Sequence, residues 1–341
     1  MKALTICPLA PDDHEAFGFY IAKAYHEKYI LRDRRYREWQ YGESLLLAKH
    51  DGVVVGHFGF RDMRYKVYDR TLLVRVLMNL FVNPDYRLTG VGAILGREVF
   101  GEDHPVLVSG YTSLAEKLFS HLRPQWKNTG VLTRFFAVLN PAAPLFERYA
   151  IPQTTLSHTE SGAITVDERV PSGPFIDACW RLAKDRFLVT VERTASYVTW
   201  RFIRHPFFSY LYLTARQKSS PAGYLVGRIE EDKGFRIARI IDLIATPAVE
   251  GALLGAFIER AKREGADGAD MFFSGSVYRE ALHGAGFFDV AGTDFEKFPI
   301  LFSPLSFKKA SINIGYDMNA PLEDCFFTKA DGDQDRPNPY Q

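Results

Sequence analysis

The stretch Asn83–Phe100, NPDYRLTGVGAILGREVF, decides the fold class of this chain. It follows the apolar run Leu72–Val82, LLVRVLMNLFV, which predicts a buried strand, and its own apolar residues predict a helix. Between the two, Arg87, Gly90 and Gly92 stand in the order Arg-x-x-Gly-x-Gly. The first N–H groups of a helix lack partners within it, and the helix dipole adds positive potential there. The sequence therefore predicts a phosphate-binding turn; an ordinary strand-turn-helix with glycines for tightness is the alternative.

Two nucleotide-binding patterns do not fit this turn. A Walker loop requires a lysine directly after its last glycine, and no lysine follows Gly92. A dinucleotide fingerprint requires a third glycine three positions on, whereas Gly96 falls at another offset. A strand that ends in Val-x-Pro, then Tyr-Arg-x-x-Gly-x-Gly and an apolar helix, resembles the GNAT acyltransferases, whose turn holds the pyrophosphate of acyl-coenzyme A (acyl-CoA).

This resemblance implies a cofactor site as well as a fold. In the family, strand four splays from strand five, and the pantetheine of the cofactor lies in the gap and pairs with strand four. A backbone N–H near this point polarises the thioester carbonyl, and an arginine of the turn adds charge to the phosphates. On these grounds the cofactor-binding residues are expected to be Leu80, Phe81, Val82, Arg87, Leu88, Thr89, Gly90, Val91, Gly92 and Ala93.

The chain contains similar landmarks twice, in the same order and at a nearly constant offset. Tyr36–Tyr41 (YREWQY) matches Tyr197–Phe202 (YVTWRF), and Met78–Pro84 (MNLFVNP) matches Ile241–Pro247 (IDLIATP). A strand that ends in Ser-Gly follows each of the latter pair. The sequence therefore predicts two copies of one α/β unit.

The fold class predicted is α/β (α+β), with two GNAT-like domains that are each a mixed, mostly antiparallel sheet flanked by helices. In the first copy, helices are expected to begin near His14 and Arg34, and Leu132–Leu139 is expected to close the sheet. The polar, proline-bearing tail is expected to form no regular element. The predicted boundaries are 1–150 for the first domain, 151–173 for a connector, 174–304 for the second domain and 305–341 for the tail.

The second copy lacks the phosphate-binding turn. Glu250 and Leu253 stand where Arg87 and Gly90 stand in the first copy, and Gly255 alone falls on a glycine. A carboxylate repels a pyrophosphate and a leucine side chain crowds it. One acyl-CoA site is therefore expected, in the first copy.

The catalytic residues depart from the family's usual pair, a glutamate on strand four and a tyrosine on the helix after strand five. Asn79 stands near the first position and Phe119 at the second. Other side chains could take over these roles, but each also has a structural explanation. A histidine can belong to the core and a tyrosine can simply be packed. A buried aspartate can be bonded to an arginine such as Arg239 rather than face a site. The catalytic candidates in the first copy are His57, Asn79 and Tyr111. Asp242 is a further candidate if the two copies share a cleft. His121 is another nearby histidine, which can instead interact with the helix dipole.

Charge, hydropathy and cysteine content argue against several other classes of protein. A net charge of +1 argues against an extensive nucleic-acid surface, and no apolar run is long enough to span a membrane. Three scattered cysteines and no signal peptide favour the reducing cytoplasm. No metal is expected, because the tail string Asp331–Asp335 departs from the calcium-loop pattern. A tail that folds back to place Asp331 or Asp333 at the cleft is left open. The basic runs Leu31–Arg37 and Arg201–His205 are solvated faces or contacts for a nucleotide diphosphate.

These observations favour an acyl-CoA-dependent N-acyltransferase in which the amine attacks the thioester directly. Two-copy chains with one intact turn resemble bacterial sugar N-acyltransferases, which implies a nucleotide-linked amino sugar as acceptor and a role in surface polysaccharide (lipopolysaccharide) synthesis. Alternatives are acetylation of a protein or small amine, peptidyl transfer from aminoacyl-tRNA, and a non-catalytic acyl-CoA sensor. The last is favoured by the missing glutamate and tyrosine. The sequence does not predict the oligomeric state.

Overall fold

The computed structural model describes residues 4–101, 103–154, 164–302, 305–306 and 311–337. The strands are β1 Leu4–Pro8, β2 Leu45–His50, β3 Val53–Val67, β4 Arg70–Val82, β5 Val106–Ser109, β6 Lys127–Val131, β7 Thr133–Val138, β8 Ile164–Glu168, β9 Val189–Val191, β10 Leu211–Gln217, β11 Ser220–Asp232, β12 Phe235–Ala245, β13 Gly268–Phe273, β14 Phe288–Asp289, β15 Leu301–Phe302, β16 Leu305–Ser306 and β17 Asn313–Tyr316. The helices are α1 His14–Ala24, α2 Arg34–Tyr41, α3 Val91–Phe100, α4 Ser113–Leu122, α5 Gly173–Ala183, α6 Ala195–Val198, α7 Glu250–Arg263 and α8 Arg279–Gly284.

These elements form two compact units. The first comprises the described parts of 1–131, 312–321 and 331–340, and the second comprises those of 132–311 and 322–330. These units group residues that contact one another, whereas the predicted domains 1–150 and 174–304 were defined by the similarity of two sequence segments. The two definitions differ, so the predicted domain boundaries stay a prediction.

The sheet of the first unit has the strand order β1-β2-β3-β4-β5-β17-β6. Strands β1 to β4 pair antiparallel with their neighbours, β4 and β5 are parallel, and β17 is antiparallel to both β5 and β6. The sheet of the second unit has the order β14-β7-β13-β12-β11-β10-β8, with its parallel step between β12 and β13. The prediction of two mixed, mostly antiparallel sheets flanked by helices is confirmed.

The local elements lie where the sequence predicts them. Helix α1 begins at His14, and α2 begins at Arg34, where the side chain of Asp33 accepts hydrogen bonds from the N–H groups of Arg35 and Tyr36. Helix α3 ends at Phe100, as expected. Local signals such as an aspartate N-cap fix such boundaries without reference to the rest of the chain.

Three expectations differ from the structure. The segment Leu132–Leu139 contains β7, but β7 pairs with β13 and β14 in the second sheet rather than closing the first. In its place stands β17, from the tail that was expected to be irregular. The predicted connector 151–173 contains β8, which pairs with β10, although its residues 155–163 lie outside the described part of the chain. Short apolar runs satisfy any free sheet edge, so their composition does not specify the partner.

The core of the first unit lies beneath the predicted phosphate-binding turn. Val91, Leu95 and Val99 of α3 are buried there with residues of β3, β4 and β5. A methyl group on Gly56 of β3 would stand 3.1 Å from Leu95 Cδ1, so this glycine lets α3 pack closely on the sheet. No helix in the described ranges is both long and apolar enough to cross a membrane.

Candidate functional site

The predicted phosphate-binding turn has the geometry of an anion site. Strand β4 ends at Val82, a short 3-10 turn covers Pro84–Tyr86, and α3 begins at Val91. The N–H of Ile94 bonds the carbonyl of Gly90 at 3.0 Å, which is the first bond of the helix ladder. The N–H groups of the three preceding residues, from Val91 on, therefore have no acceptor within the helix and are available to an anion.

Gly90 fixes the shape of this turn. It is the N-cap of α3 and has a φ of 87°, in the left-handed region that costs other residues roughly 1–2 kcal/mol. No heavy atom lies within 4 Å of where its Cβ would stand, so the space above it is open. Leu88 and Thr89 are exposed beside it. The turn is therefore accessible from solvent and needs glycine for its conformation rather than for its packing.

Arg87 is held at the end of β4. Its Nε donates a hydrogen bond of 3.2 Å to the carbonyl of Val82, and its guanidinium lies 5.6 Å from the ring centroid of Phe81. The side chain is otherwise exposed. These contacts place a permanent positive charge beside the strand end that leads into the turn, which suits a diphosphate.

Strand β4 outruns its parallel partner. The ladder with β5 runs from the Arg75–Val106 pair to the Leu77–Val108 pair, whereas β4 continues to Val82. On its other edge, β4 still pairs with β3 through Phe81–His57 and Val82–Gly56. The β4–β5 ladder thus stops before Leu80, Phe81 and Val82, and the expected splay at these residues stays a prediction. One backbone acceptor is partly used, since Tyr20 Oη donates to the Phe81 carbonyl at 3.3 Å.

Asn79 lies at an irregularity in β4. The register with β3 shifts between the His57–Phe81 and Gly59–Met78 pairs, so Asn79 and Leu80 together face Phe58 in a β-bulge. Asn79 has a φ of 56°, in the left-handed region. A bulge re-aims the peptide groups around it, and bulges are enriched beside active sites.

Three side chains that the sequence analysis did not name as site residues bond Asn79 at this bulge. Asn79 Nδ2 donates to Tyr41 Oη at 2.6 Å, and its Oδ1 accepts from Tyr29 Oη at 3.2 Å and from Arg336 Nη1 at 3.1 Å. Arg336 also pairs with Asp333 at 2.6 Å. Tyr29 stacks on Tyr25, with ring centroids 4.1 Å apart. The tail therefore folds back to the bulge of the first unit, a placement that the sequence analysis left open.

His57 is wholly buried among aromatic rings. The rings of Phe17, Tyr20, Tyr25 and Phe81 have centroids 5.4 to 6.3 Å from its own. Neither ring nitrogen has a hydrogen-bond partner among the residues that the structure describes. Burial lowers the pKa of His57 from 6.5 to about 3, so the ring is neutral at pH 7. These surroundings are those of a core residue.

We predict that replacing His57 by phenylalanine removes a pH dependence of stability. The unfolded state protonates near pH 6.5 and the folded state only near 3, so the unfolded state binds more protons and stability falls as the pH falls below 6.5. The loss between pH 7 and pH 5 is about 2 kcal/mol from this group. Urea unfolding of the wild type and of His57→Phe at both pH values measures it. An equal loss in the two proteins would contradict the assignment.

Tyr111 points into the core of the first unit. Its ring packs edge-on against Trp126 and Phe119, at 5.3 and 6.3 Å between centroids. Its hydroxyl is buried without a hydrogen-bond partner in the described ranges, and burial raises its pKa. Phe119, at the family's usual tyrosine position, is buried in the same cluster. The packing explanation of Tyr111 is the one that these contacts favour.

Asp242 belongs to the second unit and is fully buried. Its Oδ1 accepts from Arg193 Nη2 at 3.2 Å, and Arg193 Nε lies 3.3 Å from both carboxylate oxygens. Both side chains are wholly buried. The sequence analysis named Arg239 as an example partner, but Arg239 instead contacts Glu230 at 2.9 Å and Asp270 at 3.6 Å. The pair with Arg193 accounts for the buried carboxylate on structural grounds.

The second unit has an acidic residue, Glu250, at the helix start that corresponds to the open turn of the first unit. Glu250 begins α7 and forms a salt bridge with Arg186, which also donates to the carbonyl of Ala245 at 2.5 Å. Burial raises the pKa of Glu250 to about 7, partly offset by Arg186. An acidic side chain at this helix start disfavours a phosphate there. That the second copy has no such site stays a prediction.

Much of the two basic runs serves the fold. Arg37 donates to the carbonyls of Leu31 and Arg32 at 2.6 and 2.8 Å, and Arg201 donates to the carbonyl of Ala330 at 2.8 Å. Arg35 forms an exposed ion pair with Asp33. Within the described ranges, no group of acidic, histidine or cysteine side chains is arranged to hold a metal ion.

One protein-family model matches the part of the chain that contains the candidate site. Residues 11–101, from just before α1 through α3, match the family model described as the acetyltransferase (GNAT) family. No curated protein matches the chain. The matched residues include β4, the turn and the glycines of the candidate site, so this part of the first unit is similar to a GNAT acetyltransferase domain.

Solved structures share the fold over nearly the whole chain. A GCN5-related N-acetyltransferase from Anabaena variabilis ATCC 29413 has a TM-score of 0.61 at 12% identity, over 93% of this chain and 73% of that one. One from Kribbella flavida has a TM-score of 0.60 at 14% identity, over 92% and 70%. A probable N-acyltransferase from Enterococcus faecalis V583 has a TM-score of 0.61 at 10% identity, over 95% and 73%. At these identities the likeness shows the fold alone.

Proposed function

We propose that this protein transfers an acyl group from acyl-CoA to an amine, and that the first unit binds the acyl-CoA. The observation that carries the proposal is the combination of an open, glycine-shaped helix start with a strand that outruns its parallel partner. The first feature suits a diphosphate and the second suits an extended amide-bearing arm. Both lie on β4 and its continuation into α3.

Each part of the cofactor has a matching part of the chain. The N–H groups of Val91, Gly92 and Ala93, with Arg87, would hold the pyrophosphate. The backbone of Leu80, Phe81 and Val82 would pair with the amides of the pantetheine arm. Acyl-CoA supplies the activated thioester. The bulge at Asn79 re-aims backbone groups toward the inner end of this strand segment, where a donor would polarise the carbonyl.

The chemistry required of the chain is modest. A neutral amine attacks the thioester carbon, the carbon–sulfur bond breaks, and the proton lost by the nitrogen goes to solvent or to the departing thiolate. Of the four predicted catalytic residues, Asn79 is the one that lies at the bulge. Because an amide does not titrate, its proposed role is to orient the acceptor or the carbonyl by hydrogen bonds.

The acceptor that we propose is the amino group of a nucleotide-linked amino sugar, with a place in surface polysaccharide synthesis. Its support is the resemblance of a two-copy chain with one intact turn to bacterial sugar N-acyltransferases. A protein or small-amine acceptor uses the same chemistry and is separated from it by experiment.

A second candidate function is binding of acyl-CoA without turnover. It is favoured by one observation: the positions where the family often carries a glutamate and a tyrosine hold Asn79 and the buried Phe119. A protein that lacks a proton acceptor and a proton donor at these points would bind the cofactor and release it unchanged.

Binding and turnover measured side by side test the proposal. Calorimetry with acetyl-CoA and longer acyl-CoA thioesters should give binding at one site per chain. Thiol release should then rise on addition of one member of a panel that contains amino-sugar nucleotides, polyamines and lysine peptides. Binding with no release across the panel would favour the sensor. Absence of binding by every thioester would contradict both functions.

A further inference from the structure

The segment Asp333–Arg336 of the tail links β4 and β5, two neighbouring strands of the first sheet. On one side, Arg336 Nη1 donates to Asn79 Oδ1 of β4 at 3.1 Å. On the other, Gln334 Nε2 donates to the carbonyl of Ser109, the last residue of β5, at 3.2 Å. Asp333 joins the two halves, since it accepts from Gln334 at 2.8 Å and from Arg336 at 2.6 Å. We call Asp333, Gln334 and Arg336 the C-terminal bridge.

The bridge is closely fitted to β5. A Cβ on Gly110 would stand 2.2 Å from Gln334 Nε2, and one on Gly332 would stand 2.5 Å from Ser109 Oγ. Asp333 is almost completely buried. The tail therefore lies against the end of β5 at a defined position, beyond the Leu77–Val108 pair where the β4–β5 ladder stops.

The contact with Asn79 fixes a residue in an unfavourable conformation. Arginine can only donate, so Asn79 must present its oxygen to Arg336 and its nitrogen to Tyr41. The amide is thus locked in one orientation on a backbone with a φ of 56°. Left-handed residues persist where their surroundings over-determine them, and Arg336 brings the one formal charge among the three groups that bond this side chain.

We infer that Arg336 is a positioning residue that acts through Asn79 to hold the bulge of β4 in the shape that polarises the thioester carbonyl. This inference rests on the proposed function. Without Arg336, the side chain of Asn79 loses its charged partner and the strand can relax toward regular pairing with β3. The peptide groups around Leu80 then turn away from the carbonyl. Cofactor binding at the turn, which involves other residues, remains.

The test is Arg336→Gln, with Arg236→Gln as the matched control. Arg236 is a half-exposed arginine of the second unit that pairs with Glu231, so its loss also removes one ion pair. Isotope-edited infrared spectroscopy of bound [1-13C]acetyl-CoA reports carbonyl polarisation without the need for an acceptor. We expect the downshift of the carbonyl band to shrink in Arg336→Gln alone. With the best amine of the panel, kcat should fall about 10- to 100-fold while acetyl-CoA affinity stays within about threefold.

A double-mutant cycle separates action through Asn79 from direct action. Asn79→Gly removes the β4 side chain that Arg336 bonds and tolerates the left-handed backbone. In the Asn79→Gly background, Arg336→Gln should have little further effect, because both changes remove the same interaction. Additive losses in kcat would overturn the inference, and so would an unchanged carbonyl band in Arg336→Gln with intact binding. Failure of the wild type to bind acetyl-CoA would instead overturn the proposed function itself.

Discussion

Replacement of Gly90 by glutamate should abolish acyl-CoA binding while the first unit stays folded. Gly90 is the left-handed N-cap of α3, and open space lies where its side chain would extend. A carboxylate placed there meets the pyrophosphate directly. Two unit charges 4 Å apart at an effective dielectric constant of about 20 repel by about 4 kcal/mol. We therefore expect calorimetry to show an affinity loss of at least about 100-fold.

The strain of the substitution must be separated from its charge. Gly90→Ala carries the same left-handed penalty of roughly 1–2 kcal/mol but no carboxylate, so it should bind acyl-CoA far better than Gly90→Glu. Gly255→Glu is the control in the second unit, at an exposed helical position with open space around its Cβ. It should leave affinity unchanged. Equal affinities of Gly90→Glu and the wild type would place the cofactor elsewhere.

Replacement of Asp242 by asparagine should destabilise the second unit strongly and leave catalysis nearly intact. The change removes the negative charge of the carboxylate that the wholly buried guanidinium of Arg193 contacts. Breaking a buried ion pair from one side costs about 3–5 kcal/mol. For a unit of this size, the loss corresponds to a fall in Tm of about 10 °C. Differential scanning calorimetry measures the shift, and thiol release well below the new Tm measures activity.

A paired variant tests the structural role of Asp242 further. Arg193→Met combined with Asp242→Leu removes both charges, and well-packed apolar side chains can replace a buried pair with little cost. The double variant should therefore regain most of the stability that Asp242→Asn loses. A large loss of kcat in Asp242→Asn at a temperature where the protein is fully folded would restore Asp242 as a catalytic candidate.

The glycine-bearing turn before α3 could be predicted from sequence because its causes are local. Arg87, Gly90 and Gly92 lie within six consecutive residues, and a helix start with a left-handed glycine has the same geometry in any surroundings. The caps of α2 and α4, made by Asp33 and Thr112, are local in the same way. For such elements, the types of the residues and their spacing are sufficient to predict the local structure.

The surroundings of Asn79 could not be predicted in this way. The bond from Arg336 joins residues 257 positions apart, and nothing near Arg336 in the sequence indicates a partner on β4. The choice between a functional and a structural aspartate at position 242 also depended on a distant residue, Arg193. Sequence analysis can recognise that a buried carboxylate needs a partner, but only the packed chain identifies that partner.

Because β17 lies near the end of the sequence, the two sheets are completed in a defined order during synthesis. A ribosome releases the chain from its N-terminus, so β1 to β6 emerge long before Asn313–Tyr316. Until then the strand that belongs between β5 and β6 is missing. The second sheet, in contrast, is supplied in full once β14 at Phe288–Asp289 has emerged. The half of the protein that is translated first is thus the half whose sheet is completed last.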